Sequence, residues 1–126
     1  MINRISKVTI YVNNQEEAKR FWCEQLDFVV TFEQQMGPGI KWIEIAPSIG
    51  ADTTFVLYDK NMMLAQKADA NVSHPSIILS TTDIAVAYEK MKNNGVEVGP
   101  MMQMPYGTMF TFKDTEGNPY MLREDK

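Results

Sequence analysis

The chain has one cysteine, Cys23, and one histidine, His74, among its 126 residues. A single thiol closes no internal disulfide and builds no cysteine-rich zinc site, which suits a reducing cytoplasm. Basic charge is scarce: 12 Lys and Arg stand against 16 Asp and Glu, a formal net charge of -4, with no basic cluster. Nucleic-acid binding needs a basic face, so no nucleic-acid partner is expected. The mildly acidic balance leaves room for a cationic ligand, although it equally describes an ordinary soluble surface. No apolar run approaches the ~20 residues that span a bilayer. The opening Met1-Ile2-Asn3-Arg4-Ile5 lacks the apolar core of a signal peptide. A cytoplasmic protein with no membrane partner is the expectation. Also missing are the G-x-S-x-G elbow, the P-loop and G-x-G-x-x-G. The glycines of Met36-Gly37-Pro38-Gly39 lie between two predicted strands, whereas a phosphate-cradling loop opens a helix.

What is present is a patterned chain with 44% hydrophobic residues, enough for a buried core. Ile5 to Val12 alternates as a strand, with Val8, Ile10 and Val12 opposite Lys7, Thr9 and Tyr11. Asn13 or Asn14 caps a helix whose Ala18, Phe21, Trp22 and Leu26 form one apolar stripe. Cys23 borders that stripe and reads as a small packing residue, since no neighbouring cation in sequence lowers its pKa. Strands are predicted at Phe28 to Glu33, Ile40 to Ala46 and Thr53 to Asp59. Residues 60–73 carry no clean period beyond a helical turn through Gln66, and read as a linker or lid. His74 to Ser80 is the next strand. Thr82 or Thr81 caps a helix from Asp83 to Asn94, and Gly95 stops it. Val96 to Val98, Thr108 to Phe112 and Pro119 to Arg123 are the last strands. A methionine-rich loop (Met101, Met102, Met104) and an Asp114-Thr115-Glu116-Gly117-Asn118 turn join them.

Shifted by about 69 positions, the second half of this plan overlies the first: Lys7 on Ser76, Ile10 on Leu79, Ala18 on Ala87, Trp22 on Met91. Neither half buries its helix stripe and sheet alone. The chain is expected to be one domain, built of module 1–59, linker 60–73 and module 74–126.

Val8-Thr9-Ile10-Tyr11-Val12, the Ala18-x-x-Phe21-Trp22 helix and Leu26-Asp27-Phe28 resemble the vicinal oxygen chelate superfamily. So do Asn94-Gly95-Val96 and Phe112-x-Asp114-x-x-Gly117-Asn118. That superfamily includes glyoxalase I, extradiol dioxygenases, fosfomycin-resistance transferases and bleomycin-resistance proteins. Asp27 stands where the family usually has Gly. The resemblance implies an α+β fold of two βαβββ modules, whose curved mixed sheets surround a cleft, commonly in a homodimer with the site at its interface. It also implies metal-ligand positions on the first and fourth strands of each module. These fall on Lys7, Val56, Ser76 and Met121. An ammonium repels a cation, Val has no lone pair, and Ser and Met are poor ligands for hard divalent ions. No metal and no other cofactor is therefore expected.

In phase with those positions lie Lys7, Thr9, Tyr11, Thr54, Val56, Tyr58, Ser76, Ile78, Met121 and Arg123. Trp42, Glu44, Met109 and Thr111 join from neighbouring strands. Aromatic surface with a few polar anchors is the composition of a ligand cleft. The expected ligand-binding residues are Lys7, Tyr11, Trp42, Glu44, Val56, Tyr58, His74, Ser76, Met121 and Arg123. His74 also reads as a plain strand-end residue before Pro75. Glu44 reads equally as an exposed strand residue, and the methionine loop either laps the cleft or packs on the core or a partner subunit. No catalytic residue is assigned. The reading that follows is a metal-free protein that binds and sequesters a small molecule. The alternatives are a metal-dependent lyase or dioxygenase with displaced ligands (His74, Glu44, Glu124), a metal-independent enzyme using Lys7, Tyr11 or Tyr58, and a dimerising module without ligand.

Overall fold

In the computed structural model, which describes residues 1–125, the N-terminal sequence forms β1 (Lys7–Val12), α1 (Gln15–Arg20), β2 (Val29–Gly37), β3 (Ile40–Ala46), β4 (Thr54–Asp59) and α2 (Lys60–Gln66). From Pro75 onward come β5 (Ile78–Ser80), α3 (Ile84–Asn93), β6 (Glu97–Val98), β7 (Met102–Met104), β8 (Gly107–Lys113) and β9 (Pro119–Asp125). The fold is α+β, with mixed sheets and few helices. Backbone packing divides the chain into two compact units that part between His74 and Pro75. Residues 60–73, expected as a linker, belong to the first unit, where Asp59 caps α2 by accepting from the Met62 amide at 2.9 Å. Lys126, the end of the expected second module, lies outside the described residues.

The predicted repeat reappears as topology. In the first sheet the order is β1-β4-β3-β2, and in the second it is β5-β9-β8-β6, with β7 also on β8. In each, the first strand lies parallel to the last, and the last runs antiparallel to the strand before it.

Asn14 caps α1, accepting from the Glu17 amide at 3.0 Å. Past Arg20 the helix loosens into a π-helical turn, Phe21–Gln25. There Trp22 is 1% exposed, against Phe28 (4.7 Å between ring centroids), Phe55 (5.4 Å) and Phe21 (5.6 Å). With Ile10, Val12, Ile43, Ile45 and Leu57 these rings make the first core. Burial raises the pKa of the Cys23 thiol, the inert direction for a cysteine. Asp27, where the family usually has Gly, takes φ of 59°. Aspartate tolerates this left-handed backbone better than most residues do, so the turn survives the exchange.

A ring of four charges ties α1 to the β2–β3 hairpin. Lys19 meets Glu33 at 3.0 Å and Glu16 at 3.1 Å; Lys41 meets Glu16 at 2.6 Å and Glu33 at 3.3 Å. Hydrogen bonds from the two lysines hold both carboxyls below the usual range.

In the second unit Phe110, Phe112, Tyr120, Leu122, Ile84 and Val96 form the core, with Tyr88 edge-on to Phe110 at 4.9 Å. Three expectations are corrected here. The strand predicted from His74 begins only at Ile78. Pro75 has no amide to donate and restricts the residue before it, so His74 and Ser76 lie in irregular chain and share no strand face. The cap of α3 is Asp83, not Thr82 or Thr81: its carboxylate accepts from the Val86 amide at 3.2 Å. Thr81 instead accepts from the Asp83 amide at 3.3 Å. The methionine loop contains a strand, because Pro105-Tyr106 turns Met102–Met104 back onto β8, pairing Met104 with Gly107. A Cβ on Gly99 would come within 2.9 Å of the Thr111 hydroxyl, so the chain before β7 lies close on β8.

Candidate functional site

The register of the first sheet decides which side chains meet. Lys7 pairs with Thr54, Thr9 with Val56 and Tyr11 with Tyr58 across β1 and β4. Glu44 on β3 pairs with Val56. Cross-strand partners point to the same side, so one face carries Lys7, Thr9, Tyr11, Trp42, Glu44, Thr54, Val56 and Tyr58. The opposite face carries the core residues Ile10, Ile43, Ile45 and Leu57.

Glu44 is the hub. Its Oε1 accepts from the Lys7 ammonium at 2.9 Å and from the Thr54 hydroxyl at 3.3 Å; its Oε2 accepts from the Trp42 indole N–H at 2.8 Å. Its side chain is only 12% exposed, whereas that of Lys7 is 43% exposed. Burial pushes the carboxyl pKa up. The hydrogen bonds from Trp42 and Lys7, the charge of Lys7 and the Thr54 hydroxyl outweigh that and hold it below the usual carboxylate range. Beside this hub stands an aromatic array. Trp42 and Tyr58 meet edge to face at 5.9 Å, and Tyr58 and Tyr11 do so at 6.4 Å. Gln66 of α2 donates to the Tyr58 hydroxyl at 3.1 Å.

A consequence for stability follows from the sign of these shifts. Glu44, Glu16 and Glu33 all titrate below their ordinary value when folded. The unfolded chain therefore binds more protons near the ordinary carboxylate pKa of about 4.3. Their contribution is full above that pH and is lost as pH falls through the lower folded values. The urea midpoint is expected to fall between pH 6 and about pH 3.5, with the drop reduced in Glu44→Gln. An equal drop in that variant would assign the acid sensitivity to other groups.

Gln15 supports the array from the other side. Its side-chain amide donates to the carbonyls of Lys41 at 3.0 Å and Leu57 at 2.8 Å. Those carbonyls precede Trp42 and Tyr58 in sequence, and the β3–β4 pairing stops at Ile43 and Leu57. One side chain thus bridges the two strands where their own ladder has ended.

Of the expected site residues, Lys7, Tyr11, Trp42, Glu44 and Tyr58 come together. Val56 and Tyr58 lie on that face but are only 1% and 8% exposed, so they back it and offer little surface themselves. Phe32 was not expected. It pairs with Glu44 from β2, past an irregularity between Val30 and Phe32, and is 46% exposed. That irregularity breaks the alternation from which its face could have been read.

The second unit holds its own set. Met121 pairs with Ile78 and Thr111, and Arg123 with Ser80 and Met109. The Arg123 guanidinium lies 5.1 Å over the Tyr106 ring, and the Tyr106 hydroxyl donates to Met109 Sδ at 3.8 Å. Ser76 is exposed and His74 half-buried, both outside the strand.

Neither metal arrangement considered from sequence fits these residues. At the family's ligand positions stand an ammonium already bound to a carboxylate, an alkyl group, a hydroxyl and a thioether. For the displaced set, Glu124 Oε1 accepts from the Ile84 amide at 2.9 Å, so that oxygen is engaged at the first turn of α3 beside the Asp83 cap. Among the described residues no three His, Cys, Asp or Glu side chains gather to hold an ion. Also among the described residues, no helix is long and apolar enough to cross a membrane.

Comparison with known proteins gives a consistent result. The family described as Glyoxalase/Bleomycin resistance protein/Dioxygenase superfamily matches residues 4–122. The uncharacterized protein YetH of Bacillus subtilis (strain 168) is 42% identical over 125 residues, 98% of this chain and 100% of that one. Among solved structures, TnmS3, an antibiotic-binding protein from Streptomyces sp. CB03234, superposes with a TM-score of 0.83 at 27% identity, covering 99% of this chain and 98% of its own. A superfamily member from Sphaerobacter thermophilus DSM 20745 superposes at 0.82 with 28% identity, covering 98% of both chains.

Proposed function

Because this chain belongs to the Glyoxalase/Bleomycin resistance protein/Dioxygenase superfamily, we propose that it works as a binding member of it. It takes up a small molecule and sequesters it, without metal and without chemistry on the ligand. The observation that carries this reading is the face of the first sheet, where Trp42, Tyr58 and Tyr11 stand edge to face beside the Lys7–Glu44 pair. Rings and aliphatic stems supply contact area, and the hub fixes orientation, as in small-molecule sites generally. The likeness to the antibiotic-binding protein TnmS3 supports the same class of activity.

The protein acts in the cytoplasm as a homodimer with the ligand at the subunit interface. Exposed apolar side chains on edge strand β2, Val30 and Phe32, support such an interface. Ser76, Met121 and Arg123 of the second unit, and His74 at the end of the first, are further ligand-contacting residues of this reading.

The test is a thermal-shift screen against small organic molecules, antibiotics included, with and without a metal chelator. A ligand at 100 times its Kd stabilises the native state by about 2.7 kcal/mol. The expected hits raise the melting temperature equally with and without chelator, and mass spectrometry recovers them unchanged. Turnover of a hit, or stabilisation that vanishes with chelator, would overturn the reading. Light scattering at micromolar concentration reads the dimer directly.

A further inference from the structure

We infer that the ligand of the first-sheet face is an aromatic molecule carrying an anionic oxygen (a carboxylate or phenolate), and that Lys7 is the group that reads it. This rests on the proposal that the Trp42–Tyr58–Tyr11 face binds ligand, and it adds the sign of the charge.

Formal charge suggests the opposite. The chain is acidic, with a net charge of -4, and Glu44 is the carboxylate beside the rings. The hydrogen bonds reverse that expectation. Glu44 already accepts from Lys7, Thr54 and Trp42, and its side chain is 12% exposed. A carboxylate with both oxygens engaged and little surface gains little from a cationic ligand, which would also meet the nearby ammonium. Lys7 is in the reverse condition. An ammonium has three N–H donors in different directions. One goes to Glu44, the side chain is 43% exposed, and among the described residues it meets no other acceptor.

The position of Lys7 supports the same assignment. Glu44 bridges the ammonium and the Trp42 indole through its two oxygens, at 2.9 and 2.8 Å, so the open donors stand one carboxylate away from the ring array. The indole N–H is spent on Glu44, leaving Trp42 its ring carbons to offer. A ligand that lays an apolar ring on half-buried Trp42 can point an oxygen at Lys7. Glu44 is then a positioning residue: it holds the lysine and the indole, and reads no ligand charge itself.

The experiment uses three probes with the same ring: naphthoate, naphthylmethanol and naphthylmethylammonium, titrated at neutral pH into the 126-residue chain. Binding is followed by calorimetry and by the two tryptophan indole N–H signals in nitrogen-edited NMR, with Trp42→Phe assigning them. Naphthoate is expected to shift the Trp42 signal and leave buried Trp22 unmoved. It should bind about tenfold or more tightly than the ammonium probe, with the alcohol between. Lys7→Met should bring naphthoate down to the level of the alcohol, and Lys7→Arg should keep the preference. If the ammonium probe binds as well as naphthoate or better, the assignment to Lys7 is wrong while the aromatic face stands. If no probe moves the Trp42 signal at millimolar concentration, the face does not bind aromatic ligands and both readings fail. The wild-type ranking decides the question even if Lys7→Met does not fold.

Discussion

Trp22→Ala is expected to destabilise the first unit by about 3–5 kcal/mol, the range for deleting a large aromatic side chain from a core. Trp22 is 1% exposed and touches Phe21, Phe28 and Phe55, so its removal opens a space edged by rings. Those rings lie on the π-helical turn, on the chain leading into β2 and on β4, and they cannot all move inward without shifting the backbone. Trp22→Phe keeps an aromatic contact and should cost about half as much. Total stabilities near 5–15 kcal/mol make the alanine variant marginal. Its urea midpoint is the measurement, and a loss below about 1 kcal/mol would mean the site collapses freely.

Asp114→Ala should cost about 2–4 kcal/mol in the second unit, because it removes several hydrogen bonds and leaves one donor buried without its acceptor. Asp114 Oδ1 accepts from the amides of Glu116 and Asn118, both at 2.9 Å. Its Oδ2 accepts from the Asn118 side-chain amide at 3.2 Å and the Tyr120 hydroxyl at 3.0 Å. Tyr120 is 1% exposed, and burial together with the Asp114 charge drives its phenol pKa far up, so it remains a donor at every physiological pH. Adding Tyr120→Phe to Asp114→Ala removes the hydroxyl that has lost the Asp114 acceptor. The double variant should therefore lose less than the sum of the two single losses. Strict additivity would show that the hydroxyl finds another partner once Asp114 is gone.

These two positions differ in how far sequence alone exposes them. Trp22 sits in a helical stripe with Ala18 and Phe21, and Asp114 precedes a Gly117 turn, so period and turn chemistry locate both. The same local signals give the repeat and most strand limits. Local pattern is weaker where an element is short. Met102–Met104 reads as loop because three residues show no period, and it is a strand only because β8 lies beside it. Asp83 caps α3 although Thr81 and Thr82 before it suit the position as well.

The candidate site was legible by phase and not by bonding. Alternation put Lys7, Tyr11 and Tyr58 on one side, and Trp42 and Glu44 were expected to join them, as they do. Nothing local says that Glu44 is saturated, because its donors come from positions 7, 42 and 54. Gln15 and Gln66 were missed for the same reason. Each is a polar helical residue whose importance lies in a partner that the fold brings close.

The strand orders carry a kinetic consequence. In each unit the last strand occupies an inner position, between the first strand and the one preceding it. β1 therefore has no sheet neighbour until β4 arrives, and contacts such as Thr53 with Ile5 span 48 residues. Loop closure over that distance costs entropy before any pairing energy is returned, so β2–β3 can zip early while β1 docks late. Conservative substitutions in β1 should then mainly speed unfolding, and those in the β2–β3 hairpin should mainly slow folding. Lys7 is carried on β1, so the edge proposed to read the ligand is also the edge expected to open first.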